Sequence, residues 1–472
     1  MSAKTERLSR LFRAMSGPPK GYRKAPGPTG SFIGGVMEDI YRDPLSSLRR
    51  WHEEFGDLIR LRFGPLISHL LLHPREIARV LQEEHRAFDK NTRGFDKLKP
   101  ILGNGLLTSD GDLWLRQRRL IQPLFDRRGL SQYGPAMVRQ SLRTRKRWRE
   151  LQGEPTVDVA REMMELALRI VGDTLLATDV TEEAGDVGRA ISYLQEEINE
   201  RMFHFLDLGE KLPTPRNRRF QKELSLLNRS VSGMIQQRRQ TPGEQQDLVS
   251  RLIQARDPDT GASMDDAQLR DEIMTIFLAG HETTANALSW TWMLLAQHPQ
   301  VRQKVEEEVD RVCGGRPPQV EDLPELTYLH QVVKESLRLY PPAWLLERSA
   351  LQAMEVGDIF IPAGSVIILC PYLTHRHPDL WPEPDQFRPE RFAPEKPVDR
   401  WAWFPFGGGP RSCIGNHFAM MEIPLVLATL MGEFQLDLEG GQEIELEPLV
   451  TLRPKGGLPM KVRLRQKSEA GV

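Results

Sequence analysis

The chain has 472 residues, with 64 basic and 65 acidic side chains and a formal net charge of −1. That balance leaves no global bias towards nucleic acid, which is not expected as a partner. Three widely spaced cysteines argue against a disulfide framework and for a reducing, cytoplasmic compartment, with Cys313 and Cys370 read as idle buried thiols. No internal repeat, low-complexity run or Ser/Gly-rich linker divides the chain. One large, mainly helical domain over residues 26–465 with a smaller β-rich portion is expected, between a basic flexible segment 1–25 and a short tail 466–472.

Met1 to Lys24 is polar and basic, carrying Lys4, Arg7, Arg10, Arg13, Lys20, Arg23 and Lys24. It lacks the apolar run of a signal peptide or membrane anchor, so no transmembrane anchor is expected. The 4, 7, 10, 13 spacing would suit a short helix face on anionic lipid, but a frayed, solvated terminus is the expectation. Pro26-Gly27-Pro28 marks where the globular fold begins.

Thr108-Ser109-Asp110-Gly111 reads as the turn into a helix reaching Arg119. On that helix Trp114 and Arg118 are four apart and share a face. An indole N–H and a guanidinium both donate to carboxylates, although ordinary packing explains the pair equally well.

Ser263-Met264-Asp265-Asp266 has the form of a capping box and opens an apolar-periodic helix to about His298, stopped by Pro299. His281, Glu282 and Asn286 in its middle would make it a costly membrane span; it reads as a buried core helix. Its centre, Ala279-Gly280-His281-Glu282-Thr283-Thr284, gives up on the order of 2 kcal/mol of helix propensity. Close packing on a neighbour through Gly280 is one explanation. A groove for dioxygen and water, opened by the missing side chain at Gly280 and lined by the Thr283 hydroxyl, is the other.

Glu335 and Arg338 lie three apart on one helix face within Leu329 to Leu339, and Pro389-Glu390-Arg391-Phe392 follows about fifty residues later. Next comes Phe406-Gly407-Gly408-Gly409-Pro410-Arg411-Ser412-Cys413-Ile414-Gly415, a single cysteine on a glycine-rich loop before an apolar helix. Glycines at 407 to 409 and 415 permit positive φ and a close approach to a flat macrocycle. Backbone N–H groups in such a loop stabilise a thiolate, and Arg411 is placed to meet a propionate. A cysteine thiolate as axial ligand favours O–O cleavage, hence oxygen activation rather than storage.

The spacing Phe406, Gly409, Arg411, Cys413, Gly415 resembles the haem-binding signature of the cytochrome P450 superfamily. Ala-Gly-x-Glu-Thr-Thr at 279–284 resembles that family's oxygen-activation motif, and Glu335, Arg338 and Arg391 resemble its Glu-x-x-Arg helix and partner arginine. The resemblance runs from Pro26 to about Lys461.

It implies the mainly α cytochrome P450 fold and haem b, with Cys413 as the iron ligand and Phe406 and Gly280 beside the cofactor. Trp114, Arg118, Arg348 and Arg411 would bind its propionates; Thr283 and Glu282 would manage protons, Glu282 relaying them from solvent. His281 fills the variable slot and is structural. Glu335, Arg338 and Arg391 would form a buried triad serving folding and haem retention.

An apolar cavity is expected between Phe95 to Leu107, Ile198 to Leu206 with Met202, Phe203 and Phe205, the helix at Phe277 and Ala279, Ala343-Trp344-Leu345, and Val450-Thr451-Leu452. Within the family the chain looks like soluble bacterial members related to fatty-acid and terpenoid hydroxylases. Fifty-seven residues follow Gly415, too few for a reductase. Electrons are therefore expected from a ferredoxin or flavodoxin with its reductase, steered by Arg116, Arg119, Arg127 and Arg128. The expected activity is monooxygenation of a small apolar substrate with O2. The alternatives are a peroxide-driven or hydroperoxide-rearranging haem-thiolate enzyme and a non-catalytic haem sensor or carrier.

Overall fold

The computed structural model describes residues 3–151, 153–176, 180–203, 212–241, 247–440 and 443–465; the side chains of residues 3–8, 175–186, 192, 202 and 203 also lie outside the description, as does the expected tail 466–472. Helix accounts for 56% of the chain and strand for 12%. The core forms where the apolar pattern is widest. Val159–Val171 buries Val159, Met163, Leu166, Ala167 and Ile170 along one stripe. It packs along the longest helix, Asp266–Gln297, whose stretch from Thr284 to Leu295 is buried on every side. Thr327–Leu339 and Asn416–Met431 complete this centre, and the latter is buried at every position from Met421 to Met431.

The strands lie in small sheets at the edge of the helical body. The largest runs in the order Leu58–Phe63, Leu66–Leu71, Val366–Leu369, Leu346–Ala350, Phe88–Asp89. Only the Leu66–Leu71 and Val366–Leu369 pair is parallel; Arg348 lies opposite Ile367 in the adjoining antiparallel pair. Thr156–Asp158, Pro459–Leu464 and Phe434–Leu438 form an antiparallel trio.

Two expectations change. The long helix begins at Asp266, because the Asp265 side chain, rather than Ser263, accepts the Gln268 N–H at 2.7 Å. Residues 3–14 form a helix instead of a frayed end. Arg10 donates to Asp89 at 2.8 Å and Ser349 Oγ at 3.3 Å. A Cβ on Gly364 would stand 2.2 Å from the Arg10 carbonyl oxygen, so helix and sheet meet backbone to backbone. Such tertiary docking is what a twelve-residue helix needs.

Candidate active site

Gly407 and Gly409, both at φ +65°, shape the cysteine loop. At Gly409 a Cβ would also lie 1.8 Å from the Leu81 carbonyl oxygen, so the loop sits directly on the helical segment Arg79–Glu83. Gly408 and Gly415 depart from the expected positive φ. Gly408 is extended and is glycine because the Trp401 ring fills the Cβ position, 2.3 Å away. Gly415, at φ −82°, leaves space beside the Cys413 sulfur. The Cys413 N–H closes the loop on the Phe406 carbonyl at 2.8 Å. The sulfur is open to an interior cavity, not to bulk solvent. Burial pushes the thiol up, while the Gly415 N–H, the Arg118 guanidinium and the Asn416 N–H pull it down. Donors that favour a thiolate are therefore in place.

Behind this loop Glu335 and Arg338 are both fully buried. Arg338 Nε and Nη2 grip the carboxylate at 2.7 and 2.8 Å, and the remaining donors reach the His375, Pro384 and Gln386 carbonyls. Arg391 Nε and the Arg388 N–H reach the same Glu335 oxygen at 3.2 and 2.9 Å. His375 carries the connection forward, its Nε2 accepting the Phe404 N–H at 2.9 Å. Burial first, then Arg338, holds that imidazole neutral, well below its usual range. Contacts thus run unbroken from the ion pair to Phe404, two residues before the cysteine loop.

Across the cavity, Thr283 Oγ1 donates to the Ala279 carbonyl at 2.8 Å, one turn back. A Cβ at Gly280 would meet Val171 at 3.5 Å, an ordinary contact, so packing does not demand glycine there and the gap belongs to the cavity. His281 points away: its Nδ1–H donates to the Phe277 carbonyl at 2.9 Å, and burial lowers its pKa. Glu282 is buried and does not reach solvent as expected. Its two oxygens accept from Gln195 Nε2 at 2.7 Å and Thr451 Oγ1 at 2.6 Å, and Thr451 in turn accepts from Asn286.

Lys90, Arg118, Arg348 and Arg411 crowd one side of this cavity. Burial lowers all four; for Lys90 the next causes are Arg348 and Arg411, and Arg348 falls to about 10 with Arg411 as second cause. Arg411 stacks 4.2 Å from the Trp114 ring centre and bonds the Ser109 carbonyl and the Asp110 carboxylate. Arg118 donates to the Ser412 carbonyl at 2.9 Å, Arg348 to the Glu347 carbonyl and Lys90 to the Leu107 carbonyl, both at 2.7 Å. Among the described residues Asp110 is the carboxylate bonded to the group, with Asp89 acting on Arg411 from farther off, so positive charge is in excess where the group faces a cavity of about 1190 Å³. Buried charge of this kind calls for anionic partners.

Residues 25–460 match the protein-family profile described as Cytochrome P450. The chain belongs to the cytochrome P450 family. It is 37% identical to cyclooctatin synthase of Streptomyces melanosporofaciens, over 91% of this chain and 94% of that protein. Cyclooctat-9-en-7-ol 5-monooxygenase of the same organism is 37% identical over 84% and 86%. Pentalenene oxygenase of Streptomyces avermitilis is 34% identical over 87% and 90%. This P450 is accordingly a monooxygenase with haem b as its cofactor, of an enzyme class that uses O2 and an apolar substrate and needs redox partners. No described helix is long and apolar enough to cross a membrane.

The residues present fit haem b. A thiol opens onto one face of the cavity, and the surplus of buried cations is what two propionates would neutralise. Of the residues expected from sequence, Glu282, Thr283, Gly280, Ala279, Trp114, Arg118, Arg348, Arg411, Phe406, Cys413, Trp344 and Val450 all border this one cavity. Phe277 does not: its ring lies 5.7 Å from that of His281, on the core side of the helix, and Thr275, Ile276 and Leu278 take the wall instead. The Phe203 and Met202 side chains, and Phe205, lie outside the described residues. In the expected basic patch Arg119 is neutralised by Asp257 and Asp259, and Arg116 donates to the Ser263 carbonyl, whereas Arg127 and Arg128 are exposed. Lys90, Gln195 and His375 escape the sequence reading, which takes Thr451 as cavity wall but not as the partner of Glu282. Each is an isolated polar residue whose partner is far along the chain.

Proposed function

We propose that this P450 hydroxylates a cyclic terpenoid, with Cys413 as the iron ligand and with electrons from a separate ferredoxin or flavodoxin and its reductase. The observation that carries the assignment of roles is the shared cavity, with the Cys413 sulfur on one wall and the Gly280 and Thr283 groove on another. When bound, haem b supplies dioxygen activation. Cys413 would ligate its iron, and Lys90, Arg118, Arg348 and Arg411 would hold its propionates. Trp344, Leu345, Ile276, Leu278 and Val450 offer an apolar surface that orients the substrate and excludes water. Thr283 Oγ1 holds a proton at the groove, and Glu282 governs its supply through the Gln195 and Thr451 network. That proton machinery is what reductive oxygen chemistry needs and a peroxide-driven enzyme does not.

Two lines favour a terpenoid. The walls at Ile276, Leu278, Trp344, Leu345 and Val450 are apolar, which suits a hydrocarbon skeleton with few polar groups. Relatives named for cyclooctatin, cyclooctat-9-en-7-ol and pentalenene point to the same class. Arg127 and Arg128, exposed beside the helix that follows Cys413, supply a docking face for an acidic redox protein in the cytoplasm. The test is optical titration of the ferric protein with cyclic diterpenes, their mono-alcohols and long-chain fatty acids. A shift from low to high spin with the cyclic compounds supports the reading. A shift with fatty acids alone, or with none, overturns the substrate class.

A further inference from the structure

Asn199 puts an amide into an apolar wall. It lies on the helix Val180–Phe203, is 4% exposed and borders the cavity. Its Oδ1 accepts the Val450 N–H at 2.9 Å. A backbone N–H can only donate, so that contact fixes which way round the amide lies and leaves its NH2 group at the other end. Nδ2 has no partner among the described residues and is not sealed in by protein, so its two N–H donors open onto the cavity.

The donors around it are already engaged. One turn earlier on the same helix face, Gln195 Nε2 donates to Glu282, which also accepts from Thr451. Thr283 donates to the Ala279 carbonyl, Trp344 Nε1 donates to the Leu449 carbonyl at 2.8 Å, and Thr284 turns to Glu422. The Thr275 hydroxyl is unpartnered but enclosed by protein. Ile198, Leu449 and Val450, which flank Asn199 on the wall, are apolar. A bare hydrocarbon seated here would expel water and strand the two amide donors, whereas an oxygen atom on the guest would meet them.

We propose that Asn199 determines specificity by donating a hydrogen bond to an oxygen the substrate already carries, an alcohol or a ketone, so that the enzyme takes an oxygenated cyclic terpenoid in preference to the bare hydrocarbon. The cyclic skeleton rests on the function proposed above, the oxygen on Asn199. A site built to hydrogen-bond a substrate group rejects the analogue lacking it far more strongly than an apolar pocket rejects a missing methylene. One polar anchor also pins the skeleton at a fixed point and restricts which carbon is offered for oxidation. The reaction that supplies this substrate must already have placed oxygen on the skeleton, as an earlier hydroxylation or a cyclisation quenched by water does.

The experiment is optical titration of the haem-loaded ferric protein with a cyclic diterpene hydrocarbon, its mono-alcohol and the matching ketone, and with dodecane and dodecanol as a linear pair. The alcohol or the ketone is expected to bind about tenfold or more tighter than the hydrocarbon, and the tighter of the two identifies the oxygen. In Asn199→Leu that preference should shrink to about threefold or less, with hydrocarbon binding unchanged or tighter and the CO-difference spectrum retained. Asn199→Ala takes its place if the leucine variant does not hold haem. Losing the Val450 bond alone would weaken every ligand alike and keep the preference, a result that overturns the proposal. Equal affinity of the wild type for hydrocarbon and oxygenated compound overturns it as well. A response to the linear pair without the cyclic compounds would sink the terpenoid reading, while the same comparison on the linear pair still decides Asn199. Binding of none of them overturns both.

Discussion

Removing the Glu335 carboxylate is expected to destabilise the protein by about 3–5 kcal/mol, the cost of stranding a buried guanidinium. Glu335 is fully buried, takes two hydrogen bonds from Arg338 and shares one oxygen between Arg391 and the Arg388 N–H. In Glu335→Ala, Arg338 keeps three carbonyl acceptors but loses its counter-ion where water does not reach. The assay is guanidinium chloride unfolding of the haem-loaded protein, followed by circular dichroism and by the Soret band. With a slope of about 5 kcal/mol per molar, the midpoint falls by about 0.6–1 M. Glu335→Leu/Arg338→Met removes the stranded charge and should recover part of that loss. It should not recover all of it, because the His375, Pro384 and Gln386 carbonyls then lack a donor. A single variant within about 0.2 M of wild type, or a double variant worse than the single, refutes the argument that the pair is dehydrated.

Thr283→Ala should keep haem and fold but lower product per electron pair about tenfold or more, with the balance released as hydrogen peroxide; unaltered coupling would remove Thr283 from proton handling. Cys413→His should abolish the thiolate-type Soret band of the ferrous CO complex, and a retained band would mean another ligand. Lys90→Met should speed haem loss to apomyoglobin about tenfold without lowering apoprotein stability, since the lysine is a buried cation among cations; slower or unchanged haem transfer counts against the propionate role. Burial raises the Glu422 carboxyl to about 8, against the pull of Thr284. The folded state therefore keeps a proton that the unfolded state releases near pH 4.3, and stability falls as pH rises between those values. Glu422→Gln should match wild type at pH 4 and exceed it at pH 8, with a ceiling of about 4–5 kcal/mol. The slope from Glu272, also raised to about 8, remains. A difference between Glu422→Gln and wild type that does not change with pH would refute the assignment.

The parts of the site legible in the sequence are those with short, fixed spacing. The cysteine loop, the 279–284 hexamer and the Glu335 and Arg338 pair each fit within ten residues, so local geometry alone announced them. What escaped was set by distant partners. Lys90 matters because the pairing of Asp89 with Ser349 brings Arg348 near it and Asp110 folds back onto its N–H. Glu282 looked able to meet solvent until Gln195 and Thr451, 87 and 169 residues away, were seen to occupy its oxygens. The family resemblance puts Phe277 on the cavity face, but helical phase turns it towards His281. The N-terminal helix was undervalued for a related reason: its own propensity is modest, and its order comes from Asp89, Ser349 and Gly364.

The Glu282 carboxylate ties together three segments that a visiting molecule would have to press apart. Gln195 belongs to the helix Val180–Phe203, Thr451 to the turn near the end of the chain, and all three residues border the cavity. A bulky guest that displaces either flank by an ångström or so lengthens a bond of 2.6 or 2.7 Å beyond useful reach and sets the carboxylate free to turn. The acid thereby couples its own orientation to the spacing of the chamber's two flanks.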